Sequence, residues 1–205
     1  MKTTVCATLF TAASLLWPST HAVHGDVVSA WSFNALDGEA STFKADTGSG
    51  TLDATSVAGG LGVYAGSQMN ASDGIPAGLA LGVRGSSMND RHLELAFSHQ
   101  GPVELSVAFR ATPSGFDENL IQALDGDQWV SLASFGGGLA DGAWHQVSVA
   151  LPDSDGAGRI RLLLGGAESG SGTIRLDNLR ISAVSSPGTI LACGGGCLGA
   201  RARRR

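Results

Sequence analysis

Apolar side chains recur along this chain with a period of two. Leu93, Leu95 and Phe97 alternate with polar or small residues, as do Val103, Leu105, Val107 and Phe109, then Val147, Val149 and Leu151, and again Ile160, Leu162 and Leu164. Successive side chains of a β-strand point to opposite faces, so each run lays one face on a core and leaves the other to solvent. Turn-forming residues separate the runs: Ser98-His99-Gln100-Gly101-Pro102, Asp125-Gly126-Asp127, Ala140-Asp141-Gly142 and Asp153-Ser154-Asp155-Gly156. Further strands are expected at 27–33, 79–84, 120–123, 128–132 and 173–181. In the last of these Ile174 and Leu176 are out of phase with Leu179 and Ile181, which predicts a β-bulge at Asp177-Asn178. No window holds apolar residues at helical spacing. About nine or ten short strands at this spacing predict an all-β fold, an antiparallel β-sandwich of jelly-roll type.

The two ends break the pattern. Met1-Lys2, an apolar stretch over 5–17 too short to span a bilayer, and Pro18-Ser19-Thr20-His21-Ala22 have the order of a secretory signal cleaved after Ala22. At the other end Pro187-Gly188 interrupt the chain, 189–200 carry no charge, and Arg201, Arg203, Arg204 and Arg205 close it. That charge order suits a C-terminus held on the cytoplasmic side, in a segment short of the ~20 apolar residues a stable span needs. The expected organisation is a signal helix over 1–22, a sandwich domain over 23–183 and a hydrophobic and basic tail over 184–205.

The tail resembles the PEP-CTERM class of bacterial sorting tails in its proline, short apolar stretch and arginine cluster. It departs from that class where Ser185-Ser186-Pro187-Gly188 stand in place of Pro-Glu-Pro, and in Cys193 and Cys197. The resemblance implies an exported, surface-delivered protein, transient inner-membrane association, and a sorting protease as partner, with Ala22, Pro187, Arg203, Arg204 and Arg205 as processing residues. A plain basic tail is the alternative.

Without Lys2 and the four terminal arginines, 8 of the 13 basic residues remain against all 18 acidic ones, a net charge of −10. Such a domain repels nucleic acid and anionic membranes. Cys6, Cys193 and Cys197 all lie in the ends, so the domain uses neither a disulfide nor a thiolate metal site.

Within the domain, Trp31-Ser-Phe-Asn34, Ala45-Asp46-Thr-Gly-Ser-Gly50-Thr-Leu52, Val107-Ala-Phe-Arg-Ala-Thr112 and the closing Arg175-Leu-Asp-Asn-Leu-Arg180 resemble a galactose-binding-like jelly roll of secreted bacterial proteins. Asp141-Gly142-Ala-Trp144-His145-Gln-Val147 is similar to laminin-G-like sandwiches instead. Both imply the same layer architecture.

Candidate chemistry is sparse. No G-x-S-x-G and no H-E-x-x-H occurs, and His92, His99 and His145 are not spaced for a metal, so no catalytic residue is assigned and an enzyme is not expected. Jelly-roll relatives imply one structural calcium bridging Asp177 and Asn178 on the last strand to Asn34 after the first. The alternative is that Asp177 accepts backbone hydrogen bonds at the bulge. No other cofactor is expected. Glycan recognition needs stacking rings, for which Tyr64, Phe116, Trp129 and Trp144 are the candidates, with core packing competing for each. Trp31 and Phe33 are expected in the core. These features suggest a non-catalytic module for extracellular polysaccharide, a structural matrix component without a ligand, or, as a third class, a glycoside hydrolase.

Overall fold

The computed structural model describes residues 24–36, 40–72, 74 and 76–184. The expectations for the signal segment and the tail, including Ala22, Pro187, Arg203, Arg204 and Arg205, fall outside the described residues. In chain order the strands are β1 (His24–Trp31), β2 (Thr42–Lys44), β3 (Thr47–Gly48), β4 (Gly50–Asp53), β5 (Leu61–Ala65), β6 (Leu79–Arg84), β7 (His92–Phe97) and β8 (Gln100–Gly101). They continue as β9 (Val103–Ala111), β10 (Asn119–Asp125), β11 (Gln128–Phe135), β12 (His145–Ala150), β13 (Ser154–Asp155), β14 (Gly158–Leu163) and β15 (Thr173–Val184). Two short 3-10 turns, Thr55–Gly60 and Ser86–Met88, are the helical elements among the described residues. None of these is long and apolar enough to cross a membrane.

Two antiparallel sheets form a sandwich. One has six strands in the order β11-β10-β14-β7-β4-β2, and the other seven, in which β15 lies between β12-β9 on one side and both β1-β3 and β6-β5 on the other. The alternating runs read from the sequence supply the core between them: Leu93, Leu95, Ile160, Leu162 and Ile121 from the six-stranded sheet face Leu105, Val107, Phe109, Ile174 and Leu176 from the seven-stranded one. Phe109 and Phe135 meet across the layers edge to face, with centroids 5.1 Å apart, a favoured geometry for aromatic pairs.

β15 organises the seven-stranded sheet. It pairs with β9 along one edge, while its other edge is divided: Thr173 to Leu176 pair with β6, and Leu179 to Val184 with β1. The exchange falls where the register with β9 slips between Asp177 and Arg180, the position of the expected bulge. Asn178 adopts a left-handed backbone (φ 45°) there, which Asn tolerates better than most residues. The extra residue restores the core phase, so Leu179 and Ile181 are fully buried. Asp177 consequently faces away from the core and is covered by the 66–78 segment.

Two expectations are corrected. β1 ends at Trp31 rather than at Phe33, because Phe33 turns left-handed (φ 57°) while its ring stays in the core at 4% exposure. Strands β2 to β5 had no expected counterpart: β2, β4 and β5 carry too few inward apolar residues to register as alternation, and β3, Thr47–Gly48, carries none.

Candidate functional site

The outer face of the six-stranded sheet carries a row of polar side chains in cross-strand register: Ser131, Gln122, Arg161, Glu94, Asp53 and Thr42, one from each strand. They bond along the row. Gln122 donates Nε2 to Ser131 Oγ at 2.9 Å and accepts Arg161 Nε on Oε1 at 2.5 Å. Arg159 donates Nε to Glu94 Oε1 at 2.8 Å and adds a second contact from Nη2. Both guanidiniums lie over the indole of Trp129, Arg161 at 4.6 Å and Arg159 at 5.8 Å from the ring centroid. Trp129 therefore stands half-buried at the edge of the sheet beneath a layer of arginine.

Beside that row the surface dips into a groove of about 550 Å³ lined by Lys44, Gly50, Thr51, Ala96, Gly158 and Arg159 among others. The groove runs along the next register row, through Lys44, Thr51, Ala96 and Arg159. A Cβ at Gly158 would overlap the Phe97 ring, so glycine there leaves room for that ring in the core.

Tyr64 and Trp144 lie elsewhere. Tyr64 is on β5, at the far side of the seven-stranded sheet, with its ring on a floor of Gly62 and Gly82; a Cβ on Gly82 would overlap it. The Arg175 guanidinium stands over the ring at 4.7 Å. Trp144, half-buried, precedes the opposite edge strand β12. The three half-buried ring candidates are thus split between the two sheets of the sandwich. Phe116 is fully buried.

Asn34, Asp177 and Asn178 come together around one segment. Asp177 accepts the backbone N–H of Ser67 at 2.6 Å and that of Asn178 at 2.8 Å. Asn178 donates Nδ2 to the carbonyls of Ser67 (2.7 Å) and Met69 (2.9 Å). Asn34 accepts the N–H of Leu79 on Oδ1 at 2.8 Å, and Gly66 N–H bonds the carbonyl of Gly78 at 3.0 Å. The trio holds both ends of the 66–78 segment against the sheet. Burial pushes the Asp177 carboxyl up to about 6, against the opposing effect of its two backbone donors. Calcium takes six to eight oxygens, whereas here N–H donors face the carboxylate, and the donor set does not fit that ion.

Among the histidines, His145 Nε2 is 2.9 Å from Asp141 Oδ1, which also accepts the N–H of Ala143. Both bonds close the turn before β12, and no serine hydroxyl joins them. No cluster of three or more His, Cys, Asp or Glu side chains suited to a metal exists among the described residues.

No family model and no curated protein matches the chain. Solved structures with a similar fold include carbohydrate-binding modules and cleaved adhesin domains of Lys-gingipain from Porphyromonas gingivalis. The CBM22-1 xylan-binding domain of Paenibacillus barcinonensis Xyn10C is 15% identical at a TM-score of 0.48, over 80% of this chain and 97% of that one. The CBM22-1-GH10 modules of Clostridium thermocellum xylanase 10B, complexed with xylohexaose, give 13% and 0.46 over 82% of this chain and 30% of that one. A variant of CBM29-2, a family 29 carbohydrate-binding module, gives 12% and 0.38 over 52% and 72%. At these values the likeness concerns the sandwich architecture alone.

The polar row and the groove were not singled out from sequence. Arg159 and Arg161 occupy outward positions of an alternating strand, where any polar residue is expected. Only the register reveals that they meet Glu94, Gln122 and Trp129.

Proposed function

We propose that the chain is an exported, non-catalytic module that binds extracellular polysaccharide across the outer face of its six-stranded sheet. One observation carries the reading: a row of planar donors and acceptors, Gln122, Arg161, Arg159 and Glu94, fixed by mutual hydrogen bonds, backed by Trp129 and flanked by an open groove. Sugars present hydroxyls around a ring plane and C–H groups on its faces, and are held by planar polar side chains and aromatic or guanidinium surfaces. Because the partners are already locked together, little side-chain entropy is lost on binding. The chemistry the face offers is recognition, since Glu94 is committed to Arg159 and its cross-strand neighbour Asp53 to the N–H of Thr55.

The reading is tested by titrating the purified chain with neutral plant and bacterial oligosaccharides. Trp129→Ala and Gln122→Ala should each weaken binding by about tenfold or more, the loss of one ~1.4 kcal/mol contact. Unaltered affinity in both variants would move the binding site off this face, and no binding across the panel would leave the matrix-component reading in its place.

A further inference from the structure

The outer face of the seven-stranded sheet carries a second arrangement, independent of the first. Arg110 on β9 and Arg175 on β15 are direct cross-strand partners, and the same row continues into Gly82 on β6 and Gly62 on β5. Like charges placed directly opposite destabilise a sheet, and a fold normally separates or neutralises them. Here neither arginine has a carboxylate or a hydrogen-bond partner among the described residues. The one side-chain contact recorded for the pair is Arg175 over the Tyr64 ring at 4.7 Å. Burial first, then Arg110, holds the Arg175 guanidinium below its ordinary value.

The surroundings limit what can approach. Asp177, the acid two residues from Arg175, is fully buried and engaged by Ser67 and Asn178. The 66–78 segment covers that part of the sheet, so the arginines lie at its margin, on the open end of the face. Tyr64 borders them on one side. On the other, the register pairing His145 with Phe109, continued by one residue, sets Trp144 alongside Arg110. An aromatic residue thus flanks each end of a two-guanidinium row.

We propose that Arg110 and Arg175 form a site for the carboxylate of a uronic-acid residue in a glycan, with Tyr64 and Trp144 bounding the sugar ring. Guanidinium planes match a carboxylate through paired N–H donors, and one anion between them removes the like-charge cost. The net charge of −10 derived for the domain opposes a densely charged polyanion at long range. The site therefore selects an isolated or widely spaced carboxylate on an otherwise neutral polymer. This assignment goes beyond the neutral-glycan reading, because the two sites lie on opposite sheets.

The test titrates the purified chain with an acid trimer of two neutral sugars and one uronic-acid residue, its methyl ester, and a tripeptide carrying a single glutamate, following the NMR ring signals of Tyr64, the single tyrosine in the chain. The acid trimer should shift those signals, and esterification should weaken binding at least tenfold. Arg110→Gln and Arg175→Gln should do the same, and Arg110→Gln, which removes one of two opposed charges without touching the Tyr64 contact, should leave the melting temperature unchanged or raised. Trp129→Ala should weaken neutral-glycan binding about tenfold or more and leave the Tyr64 shifts intact, so the two proposals fail separately. Equal affinity for trimer and ester, or trimer binding that survives Arg110→Gln with Arg175→Gln, overturns the site. Equal or tighter binding of the glutamate peptide overturns its assignment to a sugar.

Discussion

The Asp177 carboxylate accepts the backbone N–H of Ser67 at 2.6 Å, a bond between positions 110 residues apart in sequence. It sits where β15 changes partner from β6 to β1, the one place at which that edge of the strand would otherwise leave backbone groups unpaired. Asn70 joins the same clasp, donating Nδ2 to the Asn178 carbonyl at 2.6 Å and to Ser106 Oγ at 3.1 Å. A divided sheet edge is thereby closed by side chains in place of strand pairing.

Asp177→Ala should therefore destabilise the fold by about 1–3 kcal/mol, because it strands the N–H of Ser67 in a covered position. Asn178→Ala should cost a similar amount by freeing the carbonyls of Ser67 and Met69. With N–H donors filling the Asp177 oxygens, the melting temperature should be indifferent to calcium and to chelator. A calcium-dependent rise that Asp177→Ala removes would instead restore the ion bridging Asp177 and Asn34.

The same carboxylate gives a pH signature. Its folded value is raised to about 6 from 3.8, so between those values the folded state binds more protons than the unfolded one. Stability from this group is then greatest below 3.8, declines as pH rises, and levels off above about 6. Asp53 is lowered by its hydrogen bonds to Thr55, and Asp141 by His145 and Ala143; their contribution is present above 3.8 and is lost on further acidification. Wild type compared with Asp177→Asn across roughly pH 4 to 7 should show a stability difference that shifts toward wild type as pH falls. A difference independent of pH would show that Asp177 does not titrate in this range.

The long strands were legible because nonpolar residues at every second position can satisfy only one geometry, and β6, β7, β9 and β14 fall where Leu79, Leu93, Val103 and Ile160 place them. The bulge was legible for the same reason, since Leu176 and Leu179 could not both reach the core without an extra residue between them. β2, β3 and β4 were not, because pairing with β7 and β1, and no local pattern, makes them strands. Both candidate faces depend on register, which sequence alternation leaves open: it puts Arg110 and Arg175 outside without saying that they are neighbours. The Asn34, Asp177 and Asn178 grouping was foreseen as a cation site, and the grouping is present with backbone N–H groups facing its carboxylate.

Residues 24–184 contain the strands and the buried cluster of the described residues, and should fold without metal, reductant or partner. Mass spectrometry of material from the native host should find a start near Val23 and no arginine tail. Intact Met1 or Arg205 on surface-extracted protein would count against export with processing, and an unfolded circular-dichroism spectrum of the fragment would count against an independent core.

The last prediction concerns Gly82. Its place on β6 beneath the Tyr64 ring leaves no room for a Cβ, which would overlap Cδ2 and Cε2. The clash involves the end of a half-buried side chain, so Gly82→Ala should expel the ring rather than break the strand. Expulsion exposes apolar ring surface and ends the contact with Arg175, worth together about 1–2 kcal/mol, and in a domain of this size it should lower the melting temperature by roughly 2–8 °C. Tyr64→Ala should cost a similar amount alone, and little more when added to Gly82→Ala, because both changes remove the same packed ring. The tyrosine ring signals of Gly82→Ala should move toward solvent-exposed positions. Full additivity of the two substitutions, or an unshifted ring in Gly82→Ala, would show that the ring does not rest on this glycine floor.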